Sequence, residues 1–152
     1  NCSIQKVRTT VIPLGVDPVF SAYQNNQDRF LTQIGLRSYG YALFVGRYHA
    51  RKNIEGILAA YQRWAEQTPV DLVLVGVDLY EHVNRLSEFL GLSSKLKARV
   101  HFLGHIADEE LAHLYRSALC LIYPSYHEGF GLPVIEAMSS NCPVTPPATS
   151  IK

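Results

Sequence analysis

The sequence predicts an α/β protein built on a Rossmann-like, doubly wound parallel sheet, and two observations point to this class. First, short apolar runs alternate along the chain with stretches of helical periodicity, which is the pattern of βαβ units. Second, apolar runs such as Tyr41–Val45 and Asp71–Val75 lack polar alternation, as expected of strands covered on both faces. Because crossovers between parallel strands are right-handed, the helices are expected on both faces of the sheet.

The first 40 residues carry the weakest signal. Residues 7–14 (VRTTVIPL) alternate in part and predict a strand ended by Pro13. A turn is expected at residues 15–18, where Gly and Pro stand close together. Residues 25–35 hold apolar side chains at helical spacing and predict a short helix.

From Tyr41 onward the elements follow in regular order. The strand Tyr41–Val45 leads to a helix that is expected to begin after Asn53, its N-cap, and to end near Glu66. The strand Asp71–Val75 leads to a helix over residues 79–90. The remaining predicted elements are a strand at 99–103, a helix capped by Asp108 and ending near Arg116, a strand at 118–123, a helix at 132–140 and a strand starting at 143–145.

Composition and charge exclude several classes of function. The chain has 152 residues, 47% of them hydrophobic, which suits one globular domain. A net charge of +1 gives no electrostatic case for nucleic acid, and no apolar run is long enough for a transmembrane helix. Three cysteines without paired spacing indicate a reducing compartment, with Cys120 a buried thiol in a strand.

The stretch HEGFGLPVIEAM at 127–138 is the leading candidate for a site. Glu128 and Glu136 bracket seven residues that include Gly129 and Gly131, between a predicted strand and a predicted helix. Open α/β sheets bind ligands at such strand ends, and the N–H groups of a helix start suit a phosphate. The carboxylates then suit sugar or ribose hydroxyls, since each can accept several hydrogen bonds. The alternative is that Glu128 is a surface loop residue and Glu136 a solvated helix residue.

The loop GRYHARKN at 46–53 is the second candidate. Its cations Arg47, Arg51 and Lys52 follow a predicted buried strand, and such side chains commonly bind a diphosphate. The alternative is a solvated basic loop, and the spacing matches neither a Walker loop nor a GxGxxG fingerprint.

Two further strand ends are weaker candidates. The Leu103–Gly104 end could hold a flat base, although from local evidence an ordinary core and turn is the favoured explanation. Asp78 is expected to cap a helix rather than to contact a ligand. The sequence shows no serine nucleophile elbow, no HExxH motif and no histidine spacing typical of zinc.

Five segments together resemble the C-terminal, donor-binding domain of retaining GT-B glycosyltransferases, the family 4 group known as glycosyl transferases group 1. They are VIPLGVD at 11–17, GR…RKN at 46–53, DLVLVG at 71–76, VHFLGHI at 100–106 and HEGFGLPVIEAM at 127–138. The last contains the family's E-x7-E motif and is the most specific. The resemblance implies one half of a GT-B fold, with residues 1–152 a single nucleotide-sugar-binding domain that lacks the N-terminal acceptor domain and the extreme C-terminus.

The resemblance also implies roles for individual residues. Arg47 and Lys52 match the positions that hold the donor diphosphate and stabilise the leaving group, and Glu128 matches the glutamate that faces the hexose. Glu136 matches the residue that binds the ribose hydroxyls, and the region of Leu103 would border the base. The other matched donor contacts, mostly through backbone, are Gly46, Gly129, Phe130, Gly131, Leu132 and Val134.

The function implied is transfer of a hexose, with retention, from a nucleotide sugar to a glycan or lipid-linked acceptor bound by the N-terminal domain. GDP-mannose is the first expectation for the donor and a UDP-hexose the second, with no metal or other cofactor. The protein is expected in the cytoplasm, with peripheral association at the inner face of the membrane open. A nucleotide-sugar epimerase of the same fold and a non-catalytic binding module remain alternatives, and this piece alone is expected to be inactive.

Overall fold

A computed structural model of the chain describes Thr10 and residues 12–21, 27–76 and 78–145. Its helices are α1 (Gln27–Gln33), α2 (Ile54–Trp64), α3 (Leu79–Phe89), α4 (Ser94–Lys97), α5 (Asp108–Ser117) and α6 (Leu132–Ser139). Its strands are β1 (Tyr41–Val45), β2 (Asp71–Val75), β3 (Val100–Phe102) and β4 (Cys120–Leu121). Two 3₁₀ turns, Pro18–Phe20 and Ala50–Lys52, precede α1 and α2.

The four strands form one parallel sheet in the order β3-β2-β1-β4. From β1 the chain winds outward through β2 to β3 and then crosses back to place β4 on the other side of β1. The chain therefore leaves β1 towards β2 on one side and later returns to β4 on the other side. The direction of winding reverses between the neighbouring strands β1 and β4. In sheets of this type the crevice at such a switch point is where ligands bind.

Helices cover both faces of this sheet, which confirms the doubly wound prediction. On one face, Leu43 of β1 and Val73 of β2 belong to a core that also contains residues of α1, α5 and α6. On the other face, Phe44 and Leu74 belong to a core shared with α2, α3 and α4. The strand residues Leu43, Phe44, Val73 and Leu74 are completely buried, which explains why no polar alternation appears in the sequence.

Most predicted elements are present with small shifts at their ends. β1 and β2 match the prediction residue for residue, and the short helix expected at 25–35 is α1. Asn53 caps α2 as expected: its side-chain oxygen accepts a hydrogen bond of 3.1 Å from the Gly56 amide. The expectation that Asp108 caps α5 is wrong by one position, because Ala107 is the N-cap and Glu110 reaches back to the Ala107 amide.

The later strands are shorter than predicted. The strand expected at 118–123 is reduced to Cys120–Leu121, since Ala118 still ends α5 and the amide of Tyr123 donates to the hydroxyl of Thr145. Cys120 is half-buried rather than buried; the buried thiol is Cys142. The strand expected at 143–145 appears only as a bridge between Leu121 and Val144.

Two differences concern the N-terminal part and a helix that the sequence did not predict. The strand expected at 7–14 lies partly outside the described residues, and Thr10 and residues 12–14 are not in a strand. The four-residue helix α4 begins after Ser93, whose hydroxyl accepts from the Leu96 amide. Such a short segment carries too little periodicity to be recognised from sequence.

Candidate active site

The crevice between β1 and β4 brings the basic loop and the glutamate stretch together. Lys52, in the turn after β1, forms an ion pair of 2.6 Å between its ammonium Nζ and Oε1 of Glu128, which follows β4. The two side chains are only 11% and 18% exposed, so the pair is largely shielded from solvent. Two segments separated by 75 residues thus meet at the point where the topology predicts a ligand site.

Backbone and aromatic groups hold the Lys52 ammonium in this crevice. The 3₁₀ turn that carries Lys52 begins at His49, whose ring nitrogen accepts from the Arg51 amide. The ammonium lies 5.4 Å from the centre of the Tyr123 ring, a cation–π distance. The side chain also passes Gly46, where an added Cβ would lie 3.5 Å from Lys52 Cε.

Glu128 is held in its charged form. Burial acts to raise the pKa of this carboxyl, but the neighbouring polar groups of Lys52 and Ser125, with the charges of Lys52 and Arg51, leave the pKa below its ordinary value. Burial, followed by the neighbouring charge of Glu128, raises the pKa of Tyr123 to about 12. The crevice therefore holds a carboxylate and an ammonium side by side at neutral pH.

Arg47 lies at the same edge of the sheet but has a different partner. Its guanidinium pairs with Asp78 at 3.2 Å, and both side chains are mostly exposed, at 77% and 60%. Asp78 occupies the N-cap position of α3, as expected, but among the described residues its side chain makes no capping hydrogen bond and binds Arg47 instead. Arg47, Arg51 and Lys52 line one concavity of about 420 Å³.

Glycines at the strand ends open a groove beside this basic loop. At Gly76, where φ is 140°, an added Cβ would overlap the carbonyl of Gly46, and the Gly76 amide donates to the Gly104 carbonyl at 2.7 Å. The glycines thus let three strand ends approach closely. The resulting groove of about 260 Å³ has Ile106 and Leu111 among its apolar lining residues.

Leu103, predicted to border a base, is not among the residues that line this groove. Its side chain packs against the core on the α5 face of the sheet, and its amide donates to Leu74 in β2. The wall at this place is formed by Gly104, His105 and Ile106. A base in the groove would therefore meet the residues after Leu103.

The turn between the two glutamates leads directly into α6. Gly131 is the N-cap with φ of 83°, a left-handed conformation that favours glycine, and an added Cβ would lie 3.4 Å from the Tyr123 hydroxyl. Gly129, Phe130 and Leu132 are exposed around this turn. The Val134 amide donates to the Gly131 carbonyl at 2.9 Å, so Leu132 offers the first amide of the helix start.

Glu136, one turn further along α6, lies in a different environment from Glu128. Its Oε2 accepts a hydrogen bond of 3.0 Å from the hydroxyl of Tyr115 in α5. Burial raises the pKa of Glu136; the Tyr115 hydrogen bond opposes this effect, and the charge of Asp108 adds to it. Asp108, whose charge acts on Glu136, is itself one of the residues that line the glycine groove.

Three residues of this arrangement were not predicted as site residues. Tyr123 and Ser125 follow β4 directly, so their place at the carboxyl end of a strand was a usable signal. Tyr115 had no such signal, because it lies on the buried face of an amphipathic helix and is completely buried.

Another concavity lies at the opposite ends of the strands. It has a volume of about 630 Å³, and Asp71 and Arg99 are among its lining residues. The Arg99 guanidinium bonds Asp71 and the carbonyls of Ala65, Thr68 and Val70, so it ties these loops together. We assign it a structural role because its donors are already engaged.

Within residues 12–21, 27–76 and 78–145, no group of three His, Cys, Asp or Glu side chains could hold a metal ion. No helix in the same part of the chain has the length and apolar content needed to cross a bilayer.

A doubly wound parallel sheet with cations after β1 and an E-x7-E stretch after β4 is the architecture of a glycosyltransferase domain of the GT-B type. Comparison with known proteins identifies the family. A sequence model of glycosyl transferases group 1 matches residues 28–145, and the chain belongs to this family.

Individual relatives agree with this assignment. The chain is 40% identical over 107 residues to O-antigen chain mannosyltransferase B of Escherichia coli, a match that covers 69% of this chain and 28% of that protein. It is 36% identical over 104 residues to the O-antigen chain mannosyltransferase RfbU of Salmonella typhimurium, covering 68% and 28%. The chain thus spans between a quarter and a third of the length of these curated relatives.

Solved structures confirm the fold. The C-terminal domain of a glycosyl transferase group 1 family protein from Francisella tularensis superposes with a TM-score of 0.65 at 27% identity, covering 86% of this chain and 69% of that one. The Anabaena protein HepE, solved in complex with UDP-glucose, gives a TM-score of 0.66 at 22% identity over 83% of this chain and 34% of that one.

Proposed function

We propose that this chain is the donor-binding domain of a retaining mannosyltransferase that takes its sugar from GDP-mannose. The observation that carries the proposal is the shielded pair of Lys52 and Glu128 at the β1–β4 switch point. A buried lysine next to a carboxylate is costly for a fold to maintain, and such groups concentrate at functional sites.

In the proposed complex, the donor diphosphate lies between the basic loop and the start of α6. Arg47 and Lys52 supply positive charge, and the Leu132 amide lies at the positive end of the helix dipole. When the bond to the sugar breaks, the developing negative charge on the diphosphate would meet these groups already in place. Because the cations supply this charge, we propose that the reaction needs no bound metal.

The two glutamates have separate roles in this proposal. Glu128, kept charged by Lys52 and Ser125, accepts hydrogen bonds from the hexose, while the backbone of Gly129, Phe130 and Gly131 borders the sugar. Glu136 accepts hydrogen bonds from the ribose hydroxyls. The glycine groove has the apolar lining that suits a flat base.

The choice of donor is supported by the relatives. The two curated relatives named above are described as O-antigen mannosyltransferases, which favours mannose and a polysaccharide product. A UDP-hexose is the second choice, because UDP-glucose is bound by HepE. A glycan or lipid-linked acceptor would bind a separate N-terminal domain, with the whole protein in the cytoplasm and in peripheral contact with the membrane.

The test measures the release of GDP from GDP-mannose by the full-length protein, with and without a polysaccharide acceptor. We expect Lys52→Met to lower kcat/KM by about a hundredfold, as removal of a transition-state donor does in other enzymes. Lys95→Met is the matched control, since Lys95 lies exposed at the opposite end of the sheet and should keep full activity.

Companion measurements separate the parts of the proposal. Calorimetric titration with GDP and with UDP identifies the donor base, and NMR of the product anomer tests retention. Activity that persists after chelation and dialysis is expected if no metal is needed. Interconversion of a free nucleotide sugar without transfer would identify an epimerase, and absence of any nucleotide-sugar binding would overturn the proposal.

A further inference from the structure

The hydrogen bond between Tyr115 and Glu136 connects the core of the domain to its ligand crevice. Tyr115 belongs to α5, is completely buried and packs edge-to-face against Phe20. Its hydroxyl donates to Oε2 of Glu136 in α6 at 3.0 Å. A buried tyrosine hydroxyl usually finds a hydrogen-bond partner, and here that partner is a carboxylate of the candidate site.

We propose that Tyr115 is a positioning residue that holds the Glu136 carboxylate in the orientation needed to recognise a ribose rather than a deoxyribose. This inference rests on the proposed function, in which Glu136 accepts hydrogen bonds from the ribose. Tyr115 itself would not touch the nucleotide and acts through Glu136.

The geometry supports a Glu136 carboxylate whose orientation is fixed through one of its two oxygens. Oε2 is bound by Tyr115, whereas among the described residues no hydrogen bond to Oε1 of Glu136 is present. An ionised carboxyl has about four acceptor positions, so one bond from Tyr115 leaves about three for the two hydroxyls of a ribose. Because the Tyr115 ring is packed in the core, the position of its hydroxyl is fixed. The hydrogen bond from this hydroxyl therefore restricts the orientation of the Glu136 carboxylate.

The charge states are consistent with this role. Burial, together with the neighbouring Glu136, raises the pKa of Tyr115 above its usual range, so the phenol keeps its proton and donates. Burial raises the pKa of Glu136, and the Tyr115 hydrogen bond counters that rise. Loss of the hydroxyl would therefore leave the carboxyl both less fixed and more easily protonated, and a protonated carboxyl is a poorer acceptor.

A change of one atom tests the inference, because Tyr115→Phe removes the hydroxyl and keeps the ring. The chain offers a matched control in Tyr41→Phe. Tyr41 is also completely buried, and its hydroxyl donates to the backbone carbonyl of Leu114 at 2.8 Å, next to Tyr115. Each variant loses one tyrosine hydroxyl hydrogen bond in the same region, but only the bond of Tyr115 ends on Glu136.

The measurement is the affinity of the full-length protein for GDP and for 2′-deoxy-GDP, with the uridine pair used if UDP binds more tightly. We expect the wild type to prefer the ribonucleotide by about tenfold or more, the value of one good hydrogen bond to a charged group. Tyr115→Phe should weaken GDP several-fold and 2′-deoxy-GDP little, so that the preference falls towards unity. Tyr41→Phe should keep the preference.

Other outcomes would overturn the inference in distinguishable ways. Equal weakening of both nucleotides by Tyr115→Phe, or no change at all, would assign Tyr115 a purely structural role. If the wild type binds both nucleotides equally well, Glu136 does not recognise the ribose 2′-hydroxyl, and this part of the proposed function is wrong. A wild type that binds neither would overturn the proposed function as a whole.

A double-mutant cycle with Glu136→Gln guards against a folding artefact. If Tyr115 acts through Glu136, its removal in the Glu136→Gln background should cost no further nucleotide affinity. If Tyr115→Phe alone fails to fold, Glu136→Gln should restore folding, because the stranded carboxylate is gone. Additive losses in the folded double variant, or failure to restore folding, would contradict the coupling.

Discussion

The shielded pair of Lys52 and Glu128 makes a quantitative prediction about stability. Replacing Lys52 by methionine keeps most of the side-chain volume and removes the charge. The Glu128 carboxylate then stays in the crevice at 18% exposure without its ammonium partner. We therefore expect Lys52→Met to destabilise the chain substantially, although it changes a residue at the mouth of a cleft.

The structure sets the size of the effect. Breaking a fully buried ion pair by removing one partner costs about 3–5 kcal/mol. The Ser125 hydroxyl and the charge of Arg51 remain near Glu128, which lowers our expectation to about 2–3 kcal/mol. For a chain of this size that corresponds to a fall of roughly 5–10 °C in Tm.

Thermal unfolding of the 152-residue chain measures this directly, with Arg47→Met as the control. The Arg47–Asp78 pair is 77% and 60% exposed, and exposed pairs contribute at most about 1 kcal/mol. The double variant Lys52→Met, Glu128→Gln should recover most of the loss, because no charge is then left unpaired. Equal losses in the two single variants, or a double variant as unstable as Lys52→Met, would refute the reasoning.

The pH dependence gives a second check on the same pair. The pKa of Glu128 in the folded chain lies below its ordinary value, so the carboxylate contributes stability above the unfolded pKa. That contribution is lost as the pH falls through the folded pKa. We expect the difference in Tm between wild type and Lys52→Met to shrink over this acidic range, since protonation removes the charge that Lys52 compensates.

Three further predictions follow from the same crevice. Gly76→Ala should cost more than about 3 kcal/mol of unfolding free energy in urea, because the new Cβ would overlap the Gly46 carbonyl. Asp78→Asn should tighten binding of the donor nucleotide by up to about fivefold, because it frees Arg47 from an exposed ion pair. Glu136→Gln should raise the Tm of the nucleotide-free chain at neutral pH, because the folded environment raises the pKa of this carboxyl and disfavours its charge.

Each of these predictions has its own control. Gly15→Ala should be tolerated, since an added Cβ there has no neighbour within 4 Å; comparable loss at both glycines would contradict the steric argument. The gain from Asp78→Asn should disappear at high salt, which screens exposed charges. The gain from Glu136→Gln should vanish as the pH falls below the unfolded pKa, where both states hold the proton; a gain that is independent of pH would contradict the linkage.

The sequence was sufficient to predict those features for which the local residue pattern and the order of elements indicate the same structure. β1 and β2 were predicted residue for residue, because continuous apolar runs ended by Gly46 and Gly76 specify fully buried strands. The meeting of Lys52 with Glu128 was also foreseeable, since the carboxyl ends of parallel strands lie at one edge of a sheet.

Sequence was insufficient where a side chain chooses among several partners in three dimensions. Asp78 was rightly expected at the N-cap position of α3, but its left-handed backbone, with φ of 62°, leaves its carboxylate to Arg47 instead of the helix amides. Tyr115 looked like a core residue and is one, yet its hydroxyl reaches Glu136 because α5 and α6 pack together on one face. No periodicity encodes such a contact.

The pKa values of the two glutamates are shifted in opposite directions, and this difference suggests how each carboxylate responds to a ligand. Glu128 already has a cation beside it, because Lys52 pairs with it at 2.6 Å, so its charge is stabilised before a sugar binds. The charge of Glu136 is disfavoured by burial, and Tyr115 compensates for this only in part. Hydrogen bonds from a ribose would therefore stabilise a charge that the folded chain alone stabilises incompletely, and Glu136 should contribute more to the affinity for the nucleotide sugar than Glu128 does. Comparing the GDP-mannose affinities of Glu136→Gln and Glu128→Gln tests this order, because this ligand carries both the ribose and the hexose, and a larger loss for Glu128→Gln would reverse the argument.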